Sequence, residues 1–106
     1  MNYKLIFDTK KDLNTLIAET KFYFLNRGFK LIKEDSKYLE FKRGSLLINR
    51  FTFNPLKWKS ETKIRFAESG KVIADFSIDT TYQLVIQKEA DKWGVFIENY
   101  QKELLT

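Results

Sequence analysis

The chain has 106 residues, 43% of them hydrophobic, carries a net charge of +5, and contains neither cysteine nor histidine. That length fits a single domain, residues 1–106, able to bury a core without disulfides or metal. The missing His and Cys exclude catalytic triads, Cys–His pairs and conventional zinc sites, so only carboxylate, Lys, Tyr, Ser and Thr chemistry remains and no cofactor is expected.

Tyr3 to Phe7 reads as a short entering strand. A helix follows, with Thr9 as its expected cap, Asp12 three residues on, and Leu13, Leu16, Ile17, Thr20 and Phe24 recurring at helical spacing. Asn26-Arg27-Gly28 stops it, the glycine supplying a left-handed residue. From Phe29 the period becomes two, and Glu34-Asp35-Ser36-Lys37 marks a turn. Tyr38 to Arg43 is the next strand, with Leu39 and Phe41 on one face. After Gly44-Ser45, the segment Leu46 to Phe53 is expected as a further strand, apolar on both faces until Asn49 and Arg50, and ended by Asn54-Pro55.

Glu61 to Phe66 alternates cleanly, with Thr62, Ile64 and Phe66 inward. Glu68 to Lys71 is a hairpin turn, and the return strand carries Val72, Ala74, Phe76 and Ile78 inward. A terminal helix should begin between Leu84 and Lys88, with Ile86, Ala90, Trp93, Ile97, Tyr100 and Leu104 as its apolar stripe and Phe96 widening it. Gly94 interrupts that helix, and close packing against the sheet is its expected reason. The order β-α-β-β-β-β-β-α implies an α+β fold: an antiparallel sheet of about five to six strands with two helices on one face. A curved sheet gripping the last helix around a ligand cavity is the alternative.

The excess charge is concentrated. Between positions 42 and 65 the basic residues Lys42, Arg43, Arg50, Lys57, Lys59, Lys63 and Arg65 face the single acid Glu61, while the rest of the chain is close to neutral. Lys57, Trp58, Lys59, Lys63 and Arg65 are the candidate contact face for a protein partner or an anionic surface, Trp58 offering an aromatic ring between two lysines. The competing explanation is a solvated strand face with Trp58 in the core. Nucleic acid is supported by no motif.

Catalysis has little to stand on. Asp75 and Asp79 share an outward strand face roughly 13 Å apart, too far to cooperate, and Asp75 is better placed to answer Lys63 or Arg65 across the hairpin. Gly44-Ser45 lacks the glycine pattern of a phosphate loop. The expectation is therefore a non-enzymatic binding domain, with a carrier of apolar small molecules as the alternative. The N-terminal apolar run is too short for a signal peptide and no stretch reaches the length of a membrane span, so the expected location is cytoplasmic. Dimerisation through the apolar Leu46–Phe53 segment is a further expectation.

The stretch Arg43-Gly44-Ser45-Leu46-Leu47, with Phe51-Thr52-Phe53-Asn54-Pro55-Leu56-Lys57-Trp58-Lys59-Ser60-Glu61 and the later Trp93, resembles a motif of small uncharacterised bacterial domains. The resemblance implies a bacterial source and no assigned function, and it brings no catalytic residues.

Overall fold

Alternating apolar and polar residues make five strands, and the amphipathic stretches between and after them make helices. The computed structural model describes residues 1–51, 54–81, 83 and 87–106. The order is β1 (Asn2–Asp8), α1 (Leu13–Leu25), β2 (Lys30–Asp35), β3 (Tyr38–Arg43), α2 (Leu46–Phe51), a 3-10 turn (Pro55–Lys57), β4 (Ser60–Phe66), β5 (Lys71–Ile78) and α3 (Gln87–Leu105). The strands form one antiparallel sheet in the order β1-β5-β4-β3-β2. Helix α1 carries the chain from one edge of the sheet to the other, and the β2–β5 meander returns across it to pair with β1.

The fold class expected from the sequence holds, with one replacement. Leu46–Phe51 is a short helix, so the strands number five. Ser45 explains the change: its Oγ accepts from the Ile48 amide at 3.3 Å and its carbonyl accepts from the Asn49 amide at 3.1 Å, the pattern of a helix N-cap. Thr9 caps nothing. Helix α1 starts after Asp12, and Thr9 instead accepts from the Lys11 amide and donates its own amide to the Gly70 carbonyl, tying the β4–β5 turn to the end of β1.

One sheet face is buried beneath α1 and α3. Leu39 and Phe41 of β3, Thr62, Ile64 and Phe66 of β4, and Val72, Ala74, Phe76 and Ile78 of β5 all point inward, as their alternation requires. Phe24 of α1 is the hub of the core, its ring stacked 4.8 Å from Phe41 and 5.2 Å from both Phe29 and Tyr100. From α3, Trp93, Phe96, Ile97, Tyr100 and Leu104 are buried. Ile86, the first residue expected in that stripe, lies outside the described residues. The space between sheet and α3 is filled by side chains, a packed two-layer arrangement.

The two long helices are also joined by polar contacts. Tyr23 donates its hydroxyl to the Phe96 carbonyl at 2.8 Å, and the hydroxyls of Thr20 and Tyr100 lie 3.0 Å apart. Gly94 does not pack closely: beyond its chain neighbours and the backbone of its own helix, no described atom lies within 4 Å of where its Cβ would be.

Candidate functional site

The basic segment is divided by the fold between one end of the sheet and its bare face. At the end where β4 starts and β5 finishes, α2 and the Pro55–Lys57 turn fold over the strand termini. Gly44 makes the approach possible. It adopts φ +77°, and a Cβ there would meet the Lys57 carbonyl oxygen at 2.8 Å and the Lys59 nitrogen at 2.9 Å. Asn54 caps the turn, its Oδ1 accepting from the Leu56 amide at 3.1 Å, and the Pro55 carbonyl accepts from Trp93 Nε1 at 2.8 Å.

Asn49 fastens α2 in place. It is fully buried, its Nδ2 donates to the carbonyls of Asp79 at 2.8 Å and Thr81 at 3.2 Å, and its Oδ1 accepts from the Lys59 amide at 2.9 Å. Gln83 Nε2 donates to its backbone carbonyl. Its α2 neighbours Leu46, Leu47 and Ile48 are all exposed, Leu47 to 63%. Arg50 follows Leu46 by four residues and Leu47 by three, so it stands beside them on the helix surface. Lys57 is exposed on the adjoining turn, and Lys59 is half-buried with Asp79 nearby.

Arg43, at the same end, is held rather than free. Its Nη1 donates to the Arg27 carbonyl at 2.7 Å and its guanidinium lies 4.7 Å above the Phe29 ring. Its Nε and Nη2 are buried without a hydrogen-bond partner among the described residues, and burial lowers its pKa. Trp58 Nε1, just before β4, and Ser60 Oγ and Thr62 Oγ1 on its inner side are also buried without a partner among the described residues.

The five residues singled out from the sequence therefore separate. Lys57 and Lys59 join α2. Trp58 is 1% exposed and belongs to the core, so its ring is closed to any ligand. Lys63 and Arg65 lie on the bare sheet face, with carboxylates in register around Lys63. Across all five strands one row reads Lys4, Asp75, Lys63, Glu40 and Lys33, alternating in sign. Asp75 is 3.9 Å from Lys4, and Glu61 on the same face pairs with Lys42 at 3.1 Å. The row through Lys63 alternates in sign, whereas the α2 end sets exposed apolar side chains beside the exposed Lys57. The apolar α2 residues, expected from the sequence as a dimerising strand, were not part of the expected contact face. Of that segment, Phe53 and the side chain of Phe51 lie outside the described residues.

Among the described residues no group of His, Cys, Asp and Glu is arranged to hold a metal ion, and no helix is long and apolar enough to cross a membrane. No protein-family model and no curated protein matches the chain.

Proposed function

We propose that this protein is a non-enzymatic binding domain that rests the α2 end of its sheet on an anionic surface, lipid headgroups being the partner its chemistry fits best. The observation that supports this is the coincidence, at one end of the sheet, of exposed Leu46, Leu47 and Ile48 with exposed Lys57. Three apolar side chains on a single short helix are too small for an ordinary protein interface of about 800 Å² per partner. They are suited to shallow insertion at a headgroup layer, with the cations meeting phosphate and carboxylate groups. The filled core favours this surface reading over a carrier that holds an apolar molecule between sheet and α3.

The experiment is co-sedimentation with vesicles of phosphatidylcholine alone and of phosphatidylcholine mixed with phosphatidylserine, at low and high salt. The expected result is salt-sensitive association with the mixed vesicles only. Because each basic side chain near such a surface contributes about 1 kcal/mol, Lys57→Glu should weaken association about tenfold or more, and Leu47→Asp should also weaken it. Lys63→Glu, on the bare sheet face between Asp75 and Glu40, should change little. Equal behaviour of Lys57→Glu and Lys63→Glu, or no preference for the anionic vesicles, overturns the proposal.

A further inference from the structure

The two edges of the sheet are unlike. At β2 the register shifts between Leu31 and Lys33, a bulge that spoils the edge for further pairing. At β1 the seven-residue ladder to β5 is unbroken, without proline or bulge, and no described strand lies beyond it. The hydrogen-bond phase of that ladder is set at its ends. The Met1 amino group and carbonyl exchange hydrogen bonds with Ile78 at 2.8 Å each, and the Thr9 amide donates to the Gly70 carbonyl at 2.9 Å. Odd-numbered residues thus spend their backbone groups on β5, and Asn2, Lys4, Ile6 and Asp8 turn theirs to the open edge.

From this edge we infer that two copies of the chain pair β1 with β1 about a two-fold axis at Ile6, joining their sheets into one of ten strands. The phase pairs even-numbered residues with even-numbered ones, which a two-fold axis at any residue allows: an axis at Leu5 sets Lys4 against Ile6, and one at Phe7 sets Ile6 against Asp8. An axis at Lys4 sets lysine against lysine, and one at Asp8 sets aspartate against aspartate. The axis at Ile6 alone brings Lys4 opposite the second copy's Asp8, twice by symmetry, with the Ile6 side chains together between them. Ile6 is 55% exposed in the single chain, more than a core-forming side chain should be, and this pairing covers it. On the inner side the half-buried Leu5 meets the buried Phe7 of the second copy, continuing the apolar layer. About six backbone hydrogen bonds form, and the long helices of both copies lie on one side of the joined sheet. The charge pattern answers itself, which is why the occupant is a second copy and not a foreign strand.

The test is light scattering of the full chain over a range of concentrations, with circular dichroism confirming that each variant folds. The wild-type chain is expected to dimerise. Lys4→Glu and Asp8→Lys, each placing like charges opposite one another twice, should each weaken the dimer about tenfold or more, and the double variant Lys4→Glu/Asp8→Lys should restore it. Amide exchange supplies a readout that needs no variant: the Lys4 and Ile6 amides should become protected as concentration rises. A wild-type chain that stays monomeric, single variants that dimerise normally, a double variant that fails to recover, or fast Lys4 and Ile6 exchange at all concentrations each overturns the inference.

Discussion

Asn49 lies where α2, the start of β4 and the end of β5 converge, and its amide is used at both ends, donating to Asp79 and Thr81 and accepting from Lys59. Removing it strands a buried amide donor and leaves two carbonyls short, so Asn49→Ala should cost about 2–4 kcal/mol, read as a lower denaturant midpoint. The loss should be specific in place, because the contacts of Phe24 with Phe41 and Tyr100 do not involve α2. Asn49, next to Arg50 after an apolar run, gave no hint of this from sequence. Trp58 was more legible than its neighbours suggest: counting back in twos from Phe66, Ile64, Thr62 and Ser60 puts it on the inward side of β4. The flanking lysines drew attention to a side chain whose parity already assigned it to the core.

Strands β3, β4 and β5 were readable residue by residue because one face is buried and the other is not, which imposes strict alternation. Both long helices were readable because their apolar stripes run over several turns. Helix α2 failed on both grounds. Six residues span fewer than two turns, too few to display a helical period, and three of its apolar side chains face solvent and so mimic a strand buried on both sides. Ser45 following Gly44 was the available signal. The carboxylates beside Lys63 were only half legible: Asp75 opposite it follows from the hairpin, but Glu40 on the other side depends on the β3–β4 register. At the level of the element, Gly94 offers a direct gain. With open space at its Cβ position among the described residues, Gly94→Ala should raise stability by up to about 1 kcal/mol, measurable as a higher denaturant midpoint. A loss of stability instead would mean that the position is tightly packed after all.

The whole molecule closes late along the chain, since β1 pairs with β5 across most of the sequence and the helices that cover them bond through tyrosines. This gives the fold a characteristic alkaline limit. Burial, foremost, pushes the Tyr23 phenol from its ordinary 10.0 up to about 12, with the nearby Glu103 adding to the rise and Arg27 opposing it. Burial raises Tyr100 as well. Between pH 10 and 12 the unfolded chain has lost these protons while the native chain still holds them. Stability should therefore be intact below pH 10 and fall progressively through that window, seen as a declining urea midpoint. Tyr23→Phe should flatten the decline, at the cost of the bond to Phe96; an undiminished slope in that variant would assign the limit elsewhere.

Pro55 stands between two indoles. Trp58 follows its turn, Trp93 donates to its carbonyl, and both are closed to solvent. The protein therefore carries an optical gauge of its own at the end that bears α2. A partner that merely rests on the exposed leucines leaves the native emission blue and unquenched. One that levers the Pro55 turn away from α3 wets both rings, shifts the light to longer wavelength and admits a soluble quencher, so the mode of contact can be read without a label.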